Sequence, residues 1–531
     1  VNPALICFED EHLLVVNKPA GWNTHAPAPF AGEGIYDWLR HREPRWARLA
    51  IIHRLDKETS GLLVFGKTPL ANRSLTEQFT QRATKKKYLL LTDRRVPEES
   101  FTVESNICRV GERYASAPAG SVAGERAVTR FKLLESGGGT SRVLAEPLTG
   151  RTHQIRVHSA ERGFPILGDV LYGGTPGPRV CLHAEGLALA HPATGAAMSF
   201  EGPIDFADDP RLMLRRALID PAATNAFRLI HGAADREPGW VVDRLGDFLL
   251  SQSAGEITAE QREQLRRWIE LLGLRGAYHK RLDRQVRRAG ADEASPKHVL
   301  GAEADEEFSV RENGPTFLLR FGEGYSVGLF LDQRDNRRRF LTNHVAADFP
   351  LFPERAAGRE VLNVFAYTCG FSVCAAKAGA RATSLDLSRK YLDWGRRNFR
   401  ANAIDDAAHD FIYGDAFDWL RRLAKKGRQF DAVVLDPPTF SQSKEGGVFQ
   451  AAKDYERLVA AALPVLRAGG VLLASTNAAT LAPEDFLGQI TNAIGSTGRR
   501  IEQQHYVPQP PDFPVTRDEP AYLKTSWFRI R

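Results

Sequence analysis

Apolar and polar positions follow three successive patterns along this chain of 531 residues. Over residues 1–205, short apolar or alternating runs are bounded by Gly, Pro, Asp or Asn: "LLVVNK", "GLLVFGK", "KKYLLLTD", "AVTRFKLLE" and "RVLAEPL". That pattern predicts strands. Between them, "SLTEQFTQRAT" spaces Leu75, Phe79 and Ala83 as one face of a helix. The Asp- and Pro-rich "FEGPIDFADDPR" predicts a boundary near 202–212. Residues 213–325 read as a second mixed unit, with a helix in "TAEQREQLRRWIELL" capped by Thr258 and a surface loop at "RRAGADEASPKH". From about 326 the pattern alternates strand with helix, as in "EVLNVFAY", "FSVCAAKAG", "RATSLDLS", "FDAVVLDPP" and "GGVLLAST". Such alternation predicts a doubly wound sheet with parallel strands. The expected fold class is therefore multidomain: an α+β domain over 1–210, a small α+β central domain over 213–325 and an α/β Rossmann-like domain over 326–531.

Composition changes this picture little. Apolar content of 43% and charged content of 26% are globular values. Runs such as "GLLVF" fall far short of the ~20 residues a membrane span needs, so no membrane partner is expected. The first residues, "VNPALICFEDEHLL", lack a basic flank and an apolar core, so no secretory signal is expected. Five scattered cysteines, Cys7, Cys108, Cys181, Cys369 and Cys374, form neither a disulfide frame nor paired metal ligands. A reducing cytoplasm and the absence of a metal are the expectations. The net charge of +6 is gathered partly in "TKKKY", "LRR", "HKRLDRQVRR" and "RDNRRR". One basic run is usually a solvated face, but four along the chain favour a nucleic-acid partner.

Candidate chemistry begins with "IIHRLDKETSGLLVFGK", which sets Asp56 between Arg54 and Lys57 at the mouth of a strand. A carboxylate so placed is most often a turn residue or a surface ion pair. Its company argues otherwise. In "GRTHQIRVH", alternation puts Thr152, Gln154 and Arg156 on one face of an expected strand. An inward Arg156 needs an anion, because an unpaired buried guanidinium is costly. An Asp facing it stays ionised and is suited to attack an electrophilic carbon.

The ordered motifs "NKPAGWNTH", "HRLDKETSGLLVFGKT", "KKYLLL", "LTGRTHQIRVH", "ILGDVLYGG" and "LHAEGLALAHP" resemble those of RluA-type pseudouridine synthases over residues 8–200. The resemblance implies that Asp56 is the catalytic nucleophile of uridine isomerisation. It implies further that Tyr88 packs on the base and assists proton removal, and that Arg156 pairs with Asp56. His53 and Arg54 would hold the flipped nucleotide and its phosphates. No cofactor or metal is implied for this half. Many relatives carry a small RNA-binding module first; here "FEDEHLLVVNKP" starts almost at once, so that module is expected to be absent.

In the last third, "VLNVFAYTCGFSVCAAKAGA" reads as strand, turn and helix but is a poor GxGxxG. An ordinary crossover is its plain alternative. Asp386 in "SLDLS", Asp415 in "YGDAF" and Asp436 in "VVLDPPTF" then end successive strands. Acids at the carboxyl ends of parallel strands face one crevice, where they can accept from ribose hydroxyls and an adenine amino group. They would repel a pyrophosphate, which favours S-adenosylmethionine over NAD. Residues 217–531 resemble ribosomal-RNA methyltransferases of the RlmI and RlmK kind, through "TNAFRLIHGAAD", "GLFLDQRDNRR", "NVFAYTCGFSV", "DPPTFSQSK" and "PPDFPV…EPAYLK". The resemblance implies that Phe365, Thr368 and Gly370 line the methionine part of the cofactor, that Asp386 and Asp415 hold ribose and adenine, and that Asp436 and Pro437 border the target base with Phe440 on the RNA. It also implies that the synthase domain stands where such relatives carry an RNA-binding module.

Relatives that make 5-methylcytosine carry a cysteine after the strand following DPPxF. This chain has Ser475, Thr476 and Asn477 there, and "DPPTFSQSK" with that "STN" instead resembles the relatives that methylate guanine at N7. The expectation is a bifunctional enzyme of RNA, acting on large-subunit ribosomal RNA with tRNA as the other candidate, and giving pseudouridine and 7-methylguanine. Two alternatives stand beside it: a methyltransferase half that makes 5-methylcytosine, and an RNA-binding assembly factor with an idle site.

Overall fold

The computed structural model describes residues 2–117, 123–282, 294–324, 326–443, 447–516 and 519–531. Contacts divide the chain into two units. The first is Val1–Ala26, Gly34–Leu39 and Arg48–Asp220; the second is Pro27–Glu33, Arg40–Ala47 and Pro221–Arg531. The break lies beyond the boundary expected near 210. Helix Pro210–Leu218, capped by the Asp209 side chain, packs back on the turn Pro3–Leu5 instead of serving as a linker. The expected central and α/β domains share the second unit, although each keeps its own sheet.

The first unit is built on an eleven-stranded sheet among the described residues. Its main path runs Ile6–Glu9, Leu13–Lys18, Ser60–Gly66, Leu182–Ala190, Lys85–Thr92, Thr140–Pro147, Glu125–Gly137, Ser100–Val110 and Arg113–Ala117. The five runs read as strands are strands. Helix Pro69–Thr80, capped by Thr68, buries Leu75 against the apolar face of Leu13, Leu62 and Val64. Ala184 is the pivot of the register, pairing in parallel with Gly61 and antiparallel with Tyr88. A Cβ on Gly61 would lie 2.4 Å from the Ala184 carbonyl oxygen, and its φ is +121°, so only glycine admits this approach.

The stretch "GRTHQIRVH" corrects the expectation of a strand: Gln154–Glu161 is a helix. The Gln154 amide fixes its start. Nε2 donates to the Val128 carbonyl and Thr129 Oγ1, while Oε1 accepts from Thr149 Oγ1 and the Arg151 N–H. Every residue from Gln154 to Ser159 is buried, so the sequence shows neither a helical nor a strand period there.

In the second unit, strands Ala226–His231, Trp240–Leu245, Phe248–Ser253, Gly276–Arg281 and Lys297–Gly301 form a sheet in chain order. The third and fourth are parallel, joined by helix Ala259–Leu272, where Thr258 and Gln261 make the capping box. The expected loop at "RRAGADEASPKH" and the end of the "HKRLDRQVRR" run fall mostly outside the described residues. A seven-stranded sheet follows, in the order Asp410–Tyr413, Arg381–Asp386, Glu360–Val364, Phe430–Leu435, Leu466–Thr476, Lys524–Ile530 and Ile501–Val507. The first five are parallel and Lys524–Ile530 enters antiparallel. The strand order reverses between Glu360–Val364 and Phe430–Leu435, the position at which open α/β sheets bind ligands.

Buried forks tie this unit together. Arg334 places two nitrogens 2.7 Å from the Asp512 carboxylate, which also accepts the Arg228 N–H at 3.1 Å. Segments of the five-stranded sheet, of "FLDQRDNRR" and of the closing "PPDF" thus meet at one carboxylate. Arg337 holds Glu312 in the same way, at 2.7 and 2.7 Å. No helix among the described residues is long and apolar enough to cross a membrane.

Candidate active sites

Asp56 stands on a loop clamped from two sides. Thr24 Oγ1 donates to the Leu55 carbonyl at 2.8 Å and accepts the Leu55 N–H at 3.1 Å. The Lys57 carbonyl accepts the Gly21 N–H at 2.8 Å and Lys18 Nζ at 3.4 Å. Lys18 is fully buried and also donates to the carbonyls of Pro19 and Trp22. Burial pulls its pKa down to about 7. The residues of "NKPAGWNT" thus hold the backbone on both sides of Asp56, while its side chain remains about a quarter exposed.

Arg156 reaches this carboxylate from helix Gln154–Glu161, with Nη1 3.7 Å from Asp56 Oδ2. Its Nε and Nη2 lie 2.7 and 2.8 Å from Asp169, and Nη1 lies 3.4 Å from Glu58. The expected pair is therefore one arm of a larger set. Asp169 was not foreseen, although "ILGDVLYGG" carries it. Nor was His153, whose Nε2 is 3.8 Å from the same Asp56 oxygen.

Tyr88 lies on strand Lys85–Thr92, opposite Ala184 and Ala145. Burial, with the charge of Asp56, pushes its hydroxyl well above the ordinary tyrosine range, so it remains a neutral phenol. His53 is turned inward: its ring stacks on Phe79 and its Nε2 accepts the Val64 N–H at 3.2 Å. Burial holds its pKa near 3, so it carries no charge toward a phosphate. Arg54 is exposed beside it.

The second site lies along the carboxyl ends of four adjacent parallel strands. Asp415 follows Asp410–Tyr413, Asp386 ends Arg381–Asp386, the loop 365–369 follows Glu360–Val364, and Asp436 follows Phe430–Leu435. That loop holds three non-glycine residues in the left-handed region: Phe365 (φ 63°), Tyr367 (φ 48°) and Cys369 (φ 65°). Each costs on the order of 1 kcal/mol, and such strain collects at ligand sites. Asp386 secures the loop, with Oδ2 accepting the Tyr367 N–H and Oδ1 the Ser388 N–H, both at 2.8 Å. Both oxygens keep lone pairs for a ligand hydroxyl. Asp415 Oδ1 caps helix Ala416–Lys425, and the Gly414 N–H bonds the Asp386 carbonyl, joining the two acid-bearing ends.

Phe365 is half-buried and stacked on Phe449. The Thr368 side chain is buried, donating to the Gly328 carbonyl at 2.6 Å, so its backbone is what faces the loop. Gly370 opens helix Gly370–Lys377 close to Arg337, 3.1 Å from where a Cβ would stand. Pro437 is buried and Phe440 is exposed. The acceptors, with exposed Leu387 and Tyr413 beside two of the acids, suit S-adenosylmethionine in its donors, its apolar faces and its positive centre.

Below Asp436 lies a buried polar network. Burial and the charge of Asp332 push Asp436 up to about 7, and burial also raises Asp332. Tyr522 donates to Asp332 at 2.9 Å, and Gln333 Nε2 donates to Ser475 Oγ at 2.8 Å. Ser475 and Thr476 are fully buried, while exposed Asn477 accepts from Thr439 Oγ1 at 3.0 Å. Cys369 and Cys374 are buried, and burial pushes the Cys369 thiol up to about 12 and Cys374 higher. Among the described residues, one group has metal-ligand spacing: Glu33, His41 and His505 in the second unit, with the charge of Arg339 beside both imidazoles. It contains none of the acids described above.

Residues 228–529 match a family model described as S-adenosylmethionine-dependent methyltransferase, and residues 12–161 match one described as RNA pseudouridylate synthase. A ribosomal RNA large subunit methyltransferase of Deinococcus radiodurans is 32% identical over 335 residues, covering 61% of this chain and 78% of that protein. Ribosomal RNA large subunit methyltransferase I of Escherichia coli (strain SMS-3-5 / SECEC) is 32% identical over 311 residues, 58% of this chain and 74% of its own. The crystal structure of SMU.776, a candidate methyltransferase complexed with SAH, aligns with a TM-score of 0.52 at 28% identity, covering 65% of this chain and 88% of that one.

Proposed function

The chain belongs to the S-adenosylmethionine-dependent methyltransferase family and carries an RNA pseudouridylate synthase domain ahead of it, and from that premise we propose that it modifies large-subunit ribosomal RNA twice, isomerising a uridine and methylating a guanine at N7. Such a substrate places the work in the cytoplasm.

In the first unit Asp56 is the nucleophile. The uridine leaves its stack to reach it, and exposed Arg54 holds a flanking phosphate. The bond from C1′ to N1 breaks, the base turns, C5 bonds to C1′, the C5 hydrogen leaves as a proton, and N1 takes up a proton. Atoms and oxidation state balance without a cofactor. Tyr88, kept neutral by burial, packs on the base. Arg156, with most of its fork given to Asp169, orients Asp56 without closing over it.

In the second unit S-adenosylmethionine supplies an electrophilic methyl group. Asp386 accepts from the ribose hydroxyls and Asp415 from the adenine amino group. The loop 365–370 lines the methionine part. Asp436 and Pro437 border the target base, on which Phe440 stacks. The buried state of both nearby cysteines, together with Ser475, Thr476 and Asn477 at the next strand end, carries the choice of acceptor. Addition at a pyrimidine ring carbon needs a thiolate nucleophile, whereas guanine N7 has a lone pair and needs only alignment.

The test is nucleoside analysis of ribosomal RNA from cells with and without the protein. A pseudouridine and a 7-methylguanine should both depend on it. The Asp56→Asn variant should lose the first and keep the second, and pseudouridine made by that variant would remove Asp56 from the mechanism.

A further inference from the structure

Two donors converge on one oxygen of Asp56. Arg156 Nη1 lies 3.7 Å and His153 Nε2 3.8 Å from Oδ2. Both nitrogens face the carboxylate from just beyond hydrogen-bond length.

His153 is itself held. Its Nδ1 is 2.7 Å from the Tyr172 hydroxyl, which accepts the Tyr114 N–H at 3.0 Å. That N–H leaves the phenol proton free to be donated to His153 Nδ1. The imidazole then carries its hydrogen on Nε2, toward the carboxylate. Rings pack around it, with Tyr114 and Tyr172 edge-on at 5.3 and 5.7 Å. The Arg156 guanidinium lies 5.1 Å from the centre of the Tyr172 ring, so this tyrosine braces both donors.

The backbone gives independent support. His153 precedes helix Gln154–Glu161 in the left-handed region, at φ 57° and ψ 16°, and its side chain makes no capping bond. This position ordinarily favours Ser, Thr, Asp or Asn in extended conformation, where a side-chain oxygen caps the helix. A left-handed histidine without a cap forgoes that bond and holds a strained backbone. What the conformation gains is aim, since it turns the ring toward Asp56. Burial lowers the pKa of the ring, in keeping with a neutral donor.

We propose that His153 is a positioning residue of the synthase site, with its Nε2–H aimed by Tyr172, and that His153 and Arg156 together orient the Asp56 carboxylate for attack. The assignment rests on the reading of Asp56 as nucleophile.

Full-length wild type, H153Q, H153L and Y172F are compared by tritium release from large-subunit ribosomal RNA labelled at uracil C5, with D56N as the blank. H153L should lose about a hundredfold in kcat with KM within about threefold, H153Q, which restores an N–H near the Nε2 position, should recover most of that, and Y172F should lose about tenfold. RNA affinity by filter binding and Tm should stay near wild type in H153Q and H153L. Wild-type kcat in H153L, or equal losses in H153Q and H153L, would overturn the assignment while leaving Asp56 in place. Tritium release by D56N equal to wild type, or none from the wild type, would remove the Asp56 reading and this assignment with it.

Discussion

Arg156 gives its fork to Asp169 and offers Asp56 a single outer nitrogen: 2.7 and 2.8 Å to the one, 3.7 Å to the other. Both Arg156 and Asp169 are buried, whereas Asp56 keeps part of its surface open. A carboxylate gripped by the whole fork would be less available for attack. Asp169 therefore sets how loosely Asp56 is held.

Asp169→Ala should leave a buried guanidinium without its main partner, a loss of about 3–5 kcal/mol. A calorimetric transition of the full chain should move down accordingly, and pseudouridine formation should fall. Arg156→Met added to Asp169→Ala should restore much of the stability, since no charge is then stranded, but not the activity. Recovery of both would show that the pair only packs.

The α/β half was legible because its strands are short apolar runs separated by amphipathic helices. Asp386, Asp415 and Asp436 mark the ends of three of those strands. Five of the eleven strands of the first sheet were legible but not their order, since Leu182–Ala190 inserts between Ser60–Gly66 and Lys85–Thr92 and no local pattern announces a crossover. The helix at Gln154 was misread because burial on all sides erases periodicity. What fixes it, the Gln154 amide, acts through Val128, Thr129 and Thr149, more than 20 residues away for the first two. Asp169 and Tyr172 escaped for the same reason, because their roles depend on partners brought near only by folding. Thr368 shows the converse. It lies in a legible motif, yet its hydroxyl is committed to Gly328.

A second prediction follows from Asp436, whose carboxyl burial and Asp332 raise to about 7 from an ordinary value near 4. Between these values the folded state binds a proton that the unfolded state has lost. Stability contributed by this group is thus greatest at low pH, falls as pH rises through that window, and is lowest above 7. Asp436→Asn removes the penalty. Its Tm should approach wild type near pH 4 and exceed it at pH 8, by roughly 2–4 °C for each kcal/mol recovered. Methyl transfer should be lost. Equal Tm differences at pH 4 and pH 8 would contradict the assignment.

A third prediction concerns the cofactor. Ligand bound only to the folded state stabilises it by mass action, about 2.7 kcal/mol at a hundredfold excess over Kd. S-adenosylmethionine or its demethylated product should therefore raise a thermal transition of the full chain. Asp386→Ala should abolish the shift and also lower the basal Tm. The same carboxylate accepts the Tyr367 N–H that holds the left-handed loop in place. Asp386→Asn can keep an acceptor for that N–H and should retain more of the basal Tm than of the ligand shift. A shift with NAD and none with S-adenosylmethionine would overturn the ligand assignment.

The last prediction concerns the methyl acceptor. A route through a covalent pyrimidine adduct requires a thiolate within reach of the base. Cys369 and Cys374 are buried, and burial disfavours their ionised forms. Cys369 also lies against Gly395, where an added Cβ would fall 2.3 Å from its sulfur, which marks it as a packing residue. Ser475 and Thr476 are equally buried, with Ser475 bonded to Gln333 and Thr525. Exposed Phe440 and Asn477 can stack on a base and bond its edge without any proton transfer. RNA treated with the protein and S-adenosylmethionine should thus contain 7-methylguanine. Cys374→Ser should leave methylation within about threefold of wild type, since a packing change near the core mainly affects stability. Cys369→Ser should behave alike once Tm is matched. Asn477→Ala and Phe440→Ala should instead raise KM for RNA while leaving the S-adenosylmethionine shift intact. A product made solely of 5-methylcytosine, lost on either cysteine change, would show that a thiol does the chemistry and that the loop 365–369 opens to expose it.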